Sequence, residues 1–252
     1  MNINSISFIA ALGVAAGVMA DQTATPATAP FKLNLSEEYG YYNFVGTKSS
    51  LNEFNTTLEF DFGTSVVARV ALPVYSQGSE TNVGDVSLSF EATVLKNQDT
   101  ILGLFHDWSL SVNAGVDVPT ETAFASTNVN PFFGAEFDAN LSDSLTFSQS
   151  AEYTFVGGGA YVPLIGEFTN SDILNFQTDL SMWFTKEVSV AASFVQQYYV
   201  DASEYQLFIG PMASYEMTHY LNFNAGVLLP ITQTVSDGGT DYVIHAGVEF
   251  TF

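Results

Sequence analysis

Phe54-Asn55-Thr56-Thr57-Leu58-Glu59-Phe60-Asp61-Phe62 decides the fold class, because its residue types alternate without a break. Phe54, Thr56, Leu58, Phe60 and Phe62 share one face, while Asn55, Thr57, Glu59 and Asp61 share the other. Period two belongs to an extended strand, with one side against an apolar medium and the other against a polar one.

The same pattern recurs along the chain. Val86 to Val94 alternates with Asp85, Ser87, Ser89, Glu91 and Thr93, and Trp108 to Val118 alternates with Ser109, Ser111, Asn113, Gly115 and Asp117. Val129–Leu141 carries Glu136 and Asp138 on its polar face, and Leu145–Phe155 carries Thr146, Ser148, Ser150 and Glu152. Further alternating runs are Leu174–Phe184, Val188–Phe194, Tyr205–Ile209, Leu221–Leu229 and Tyr242–Phe252. With Val66–Tyr75 and a less regular stretch from Phe31 to Val45, the expectation is about twelve antiparallel strands. The chain is 47% hydrophobic, yet after Ala20 no apolar run is long enough for a membrane-spanning helix. A transmembrane β-barrel reconciles the two facts, since only every second strand residue has to be apolar. The all-β expectation is thus an up-and-down barrel of about 12 strands with lipid outside and polar groups inside. A soluble β-sandwich or surface lectin would share the aromatic content.

Connection lengths add orientation. Gly63-Thr64, Leu141–Ser144, Thr185–Glu187 and Thr218–Tyr220 are short, with a longer member near Asn97–Asp107 in the same phase. Gly46–Asn52, Ser76–Gly84, Pro119–Asn128, Val156–Ser171, Asp201–Glu204 and Pro230–Thr240 form the alternate, longer class. Barrels of this kind keep short turns on the periplasmic side, which puts both termini there.

At the N-terminus, Ser7–Val18 is small and apolar, and Val18-Met19-Ala20 precedes the polar Asp21. It reads as a signal peptide over residues 1–20, cut after Ala20, although Met1–Ser5 carries no Lys or Arg. A retained membrane helix is the competing reading, but the run falls short of the ~20 residues such a span needs. Residues 21–30, rich in Thr, Ala and Pro, form a short periplasmic leader, and residues 31–252 form the barrel. At the other end Tyr242, Ile244, Val248, Phe250 and Phe252 share one face. A terminal aromatic on such a strand resembles the insertion signal that the outer-membrane barrel assembly machinery reads.

Charge narrows the function classes. With 27 acidic and 5 basic residues, a net charge of −22 and no clustered Lys or Arg, the chain is not a nucleic-acid binder. The absence of cysteine removes disulfides and thiolate metal sites. His106, His219 and His245 fall too far apart in this topology to share a metal or to build a catalytic centre. Gly157-Gly158-Gly159 leads into Ala160-Tyr161-Val162-Pro163, without a following helix or lysine, so it reads as a surface loop and not a phosphate cradle. Glu167, Asp172, Asp237 and Asp241 lack the spacing of a dedicated Ca²⁺ loop. No cofactor, metal or enzymatic role is expected.

The polar face carries the candidate site. Strand parity turns Glu59, Asp61, Asp85, Glu91, Asp117, Glu136, Asp138, Glu152, Asp179, Glu216 and Glu249 inward, with Arg69 as the basic strand residue facing them. Eleven carboxylates cannot all pair with one guanidinium, so the lumen is expected to be hydrated or partly protonated. A narrow lumen filled by a hydrogen-bonded plug is the bland alternative.

Two short segments carry a family resemblance: Val83-Gly84-Asp85-Val86-Ser87-Leu88, and Leu110 through Val118-Pro119-Thr120. They resemble the outer-membrane transporter-like family described as the MetA-pathway of phenol degradation. Its members open a strand with Gly-Asp and end a later one in Pro-Thr. Gly84, Asp85, Pro119 and Thr120 are the positions that match. Glu121-Thr122-Ala123-Phe124-Ala125 departs from the Gly-rich loop that members often have there. The resemblance implies passage of hydrophobic or aromatic small molecules across the outer membrane. Together these readings predict a bacterial outer-membrane channel for an unidentified small solute, its acidic lumen favouring cations and neutral molecules. The rivals are a structural or adhesive surface barrel with a plugged lumen, and a barrel enzyme acting on lipid.

Overall fold

The computed structural model describes residues 32–44, 50–63, 65–164, 167–235 and 239–252. The signal peptide and leader, residues 1–30, lie outside them. The strands are β1 (Lys32–Phe44), β2 (Leu51–Asp61), β3 (Val66–Gln77), β4 (Glu80–Val83) and β5 (Val86–Asn97). They continue with β6 (His106–Val118), β7 (Asn130–Ser142), β8 (Leu145–Thr154), β9 (Ala160–Val162) and β10 (Glu167–Thr169). The last are β11 (Ile173–Trp183), β12 (Val188–Tyr199), β13 (Glu204–Thr218), β14 (Leu221–Gln233) and β15 (Thr240–Thr251).

Twelve of them close a barrel. Each pairs antiparallel with its neighbours in sequence, and β1 joins β15 through eleven register pairs from Asn34–Thr251 to Phe44–Thr240. Closure satisfies every edge, which a sheet in hydrocarbon requires. β4 prolongs the β3 ladder beyond the barrel body, and β9 with β10 makes a small hairpin between β8 and β11. The short turns and the C-terminus gather at one rim. The longer connections gather at the other.

Side-chain alternation follows the period-two pattern. Phe54, Leu58, Leu72, Leu88, Phe90, Phe176, Leu180 and Ile244 point out and are exposed. Aromatic groups band the outer surface at both rims. Phe105, Phe137 and Phe147 meet at 5.5–6.4 Å near the short-turn rim. Phe133, Tyr153 and Phe155 meet at 4.9–5.9 Å near the long-loop rim. The outward face also carries a charge: Glu37, midway along β1, is exposed and accepts from Thr56 Oγ1 at 3.0 Å.

β13 runs to Thr218, well past the expected Ile209. Gly210-Pro211 looks like a strand end but is a close approach. The β13–β14 register keeps its phase from Ile209–Leu229 to Met212–Gly226 without a pair at Gly210 or Pro211, and a Cβ on Gly210 would fall 1.7 Å from the Val227 carbonyl oxygen. Only glycine lets the two backbones meet there.

Candidate functional site

The lumen is layered along the barrel axis. At the short-turn rim it is polar and partly accessible, and Arg69 organises it. Glu59 lies directly opposite Arg69 in the β2–β3 register, while Glu91 lies diagonally across on β5. Arg69 Nε donates to Glu59 at 2.7 Å and its Nη1 donates to Glu91 at 2.6 Å. One guanidinium thereby ties three strands through charge-assisted bonds. Among the described residues both ion pairs use Arg69.

The other carboxylates find neutral donors. Glu136 accepts from Ser148 at 3.3 Å, and Asp179 accepts from Gln177 and Ser193. Glu152 accepts from Asn113 Nδ2 at 3.0 Å, reaching across β7 over Gly134. A Cβ on Gly134 would meet Asn113 Oδ1 at 2.4 Å, so a side chain at that position would block the bridge. Asp138 faces Ser148, Asp117 faces Ser87, Glu216 faces Asn222 and Glu249 faces Ser36 in the strand registers. Asp61 caps the adjacent turn by accepting from the Gly63 N–H at 2.7 Å.

Parity reading overlooked two more. Glu38 and Glu53 face the lumen at mid-height, 6% and 1% exposed, and Glu53 accepts from Tyr42 Oη at 2.7 Å. They lie where alternation in the sequence is weakest, in Ser36-Glu37-Glu38-Tyr39-Gly40 and just ahead of Phe54. Asn55, Asn175, Gln177, Gln197, Gln206 and His245 complete this buried belt. His245 is buried, with Nε2 2.9 Å from Met212 Sδ. His106 stands at the start of β6, bonded to Thr100 at 2.7 Å, and His219 lies in the β13–β14 turn against Tyr220. No three His, Cys, Asp or Glu groups among the described residues form a metal site.

Toward the long-loop rim the wall turns apolar. Tyr42, Phe44, Leu51, Tyr75, Ile173, Tyr199, Phe208, Leu228 and Val243 point inward and are buried. What buries them corrects the sequence expectation for two loops. Pro119–Asn128 and Val156–Ser171 are not wholly surface segments: Phe124, Tyr161, Val162 and Leu164 enter the mouth and join these wall residues in one apolar cluster. The glycine triplet leads this descent and is bound to the other loop. Thr127 N–H donates to the Gly159 carbonyl at 3.1 Å, and Asn128 Nδ2 donates to that of Gly157 at 2.8 Å. The missed signal was composition, since Phe124-Ala125 and Ala160-Tyr161-Val162-Pro163-Leu164 are too apolar for water-facing loops.

The dipeptides singled out by resemblance sit beside this insertion. Gly84 N–H donates to the Pro73 carbonyl at 3.1 Å, and the hydroxyls of Thr120 and Thr122 both donate to the Val83 carbonyl. Asp85, between β4 and β5 and 1% exposed, accepts from the Ser126 N–H at 2.8 Å and from its hydroxyl. Burial pushes the Asp85 carboxyl up from the usual range, and these two bonds pull it back.

A closed, all-antiparallel twelve-stranded barrel with an apolar outside and a polar inside has the architecture of bacterial outer-membrane channels. An outer-membrane channel from Pseudomonas putida F1 shares the fold with a TM-score of 0.61, at 10% identity over 92% of this chain and 98% of that one. The NanC porin aligns with a TM-score of 0.59, at 11% identity over 86% and 98%. The KdgM porin, solved with disordered oligogalacturonate, gives 0.52 at 12% identity over 88% and 99%. No protein-family model matches the chain, and no curated protein matches it in sequence.

Proposed function

We propose that the protein is a bacterial outer-membrane channel for small solutes, with the short-turn rim and both termini in the periplasm and the long loops outside. The lumen wall carries this reading. Its many carboxylates face a single guanidinium already occupied by Glu59 and Glu91, so the passage has a negative potential that favours cations and neutral molecules. The apolar upper wall and the Gly84-Asp85 and Pro119-Thr120 resemblance support solutes with an aromatic or hydrophobic part. The channel function of the structural neighbours supports transport over catalysis.

The apolar cluster in the mouth favours a second reading, a structural surface barrel with a permanent plug. Swelling of liposomes containing the folded protein separates the two. Neutral and cationic solutes of matched size should enter faster than an anionic one. Fastest entry by the anion contradicts the electrostatic reading, and entry by none supports the plugged barrel.

A further inference from the structure

Two loops fill the long-loop mouth, and their polar attachments converge on few residues. Phe124, Ala125 and Ser126 are 7%, 6% and 5% exposed, so the 119–129 segment is seated inside the barrel. Its apolar anchor is Phe124, whose ring meets Tyr161 edge-on at 6.2 Å. Its start is tied by Thr120 and Thr122 to the Val83 carbonyl, and its polar anchor inside the mouth, beside Phe124, is Ser126. Both Ser126 donors, N–H and hydroxyl, go to the Asp85 carboxylate, and the Ser126 hydroxyl oxygen also accepts from Asn130 Nδ2 at 2.8 Å. Asn130 in turn accepts from the Gly157 N–H at 3.3 Å, and Thr127 holds Gly159. The segment that carries Tyr161 is thus linked to the same point from the far side of the mouth. At its remote end Thr240 Oγ1 donates to the Leu164 carbonyl.

Bonds to a buried carboxylate are the strongest polar contacts here, and removing the acceptor strands two donors away from water. The apolar contacts of Phe124 lack direction and could re-form elsewhere in the mouth. We infer that Asp85 is a positioning residue for the channel. By holding Ser126 it fixes the 119–129 segment in the mouth, and through Asn130 and Thr127 it fixes the 157–164 segment, so this one carboxylate sets how far the passage is constricted. The inference rests on the channel reading and assigns a role to a residue that the acidic-lumen argument counts merely as one charge among many.

The chain has no cysteine, so a single reporter thiol can be read without background. Phe124→Cys should react slowly with a water-soluble maleimide in the otherwise native protein in detergent micelles. Adding Asp85→Ala should raise the labelling rate about tenfold, equivalent to about 1.4 kcal/mol less hold on the loop, and Ser126→Ala, which keeps the backbone N–H bond to the carboxylate, should raise it less. The two changes together should give no more than Asp85→Ala alone, because the bond lost in Ser126→Ala is one of the two that Asp85→Ala breaks. Asp85→Asn should fall between, because its carbonyl oxygen accepts from the Ser126 N–H while its amide cannot accept from the hydroxyl. Retention of the heat-modifiable band shows that each barrel is folded. Single-channel conductance of the same variants should rise several-fold. Unchanged labelling in folded Asp85→Ala overturns the inference whatever the conductance. Faster labelling without current upholds the hold by Asp85 and counts against the channel reading alone.

Discussion

Replacing Arg69 with methionine keeps most of the side-chain bulk and removes the guanidinium that joins β2, β3 and β5. Glu59 and Glu91 then lose bonds of 2.7 and 2.6 Å. Hydrogen bonds to charged groups contribute about 1.5–3 kcal/mol each, and breaking a buried ion pair by removing one partner costs about 3–5 kcal/mol. The three side chains are 15%, 12% and 18% exposed, so solvent reaches the stranded carboxylates and the lower end applies, about 3 kcal/mol. With a urea dependence of about 2 kcal/mol/M, the unfolding midpoint in lipid vesicles should fall by roughly 1.5 M. Fluorescence of Trp108 and Trp183 reports the transition. Converting Glu59 and Glu91 to glutamine in the Arg69→Met background should restore most of the loss, since neutral groups need no counter-charge. Arg69→Met should also strengthen cation selectivity. An unchanged midpoint in Arg69→Met, or no recovery in the triple variant, would refute the claim that this cluster is held by charge.

The outward face makes a second set of expectations. Leu180→Arg should destabilise the barrel in bilayers by about 2–4 kcal/mol, whereas Glu37→Leu, which removes a carboxylate from the lipid side, should stabilise it by about 1 kcal/mol. Urea titration checks both, and a stabilising Leu180→Arg would mean that the outward face is misassigned. Phe252→Asp should leave the chain degraded or periplasmic, as cell fractionation would reveal; normal assembly would remove the role given to the terminal aromatic. An epitope inserted after Gly78, in the turn between β3 and β4, should be accessible on intact cells, and one after Asp143 should not. The reverse labelling inverts the orientation.

Much of the barrel was legible because lipid on one side and water on the other impose the same period on every strand, as in Phe54–Phe62. That period gave the strand number and put Glu59, Glu136 and Asp179 on the polar face of their strands. It failed at Glu38 and Glu53, since Tyr39, Tyr41 and Tyr42 put amphipathic rings on both faces of β1 and blur the alternation. It failed at Gly210-Pro211, where a turn-like dipeptide accommodates a neighbouring backbone inside a strand. The inserted loops were beyond it altogether. Phe124 and Tyr161 reach their partners through contacts distant in sequence, and no local period records that a connection bends into the lumen. The hold by Asp85 on Ser126 likewise joins residues forty-one apart.

The most direct test of the acidic passage is the reversal potential of the unmodified protein in planar bilayers under a KCl gradient. Its sign should be that of cation selectivity, and its size should shrink as both baths approach 1 M, where the screening length drops from about 10 Å at 0.1 M to about 3 Å. Neutralising Glu59, Asp61, Glu136 and Asp138 together should move it toward zero without preventing insertion. A reversal potential of the anion-selective sign in the unmodified protein would contradict the account.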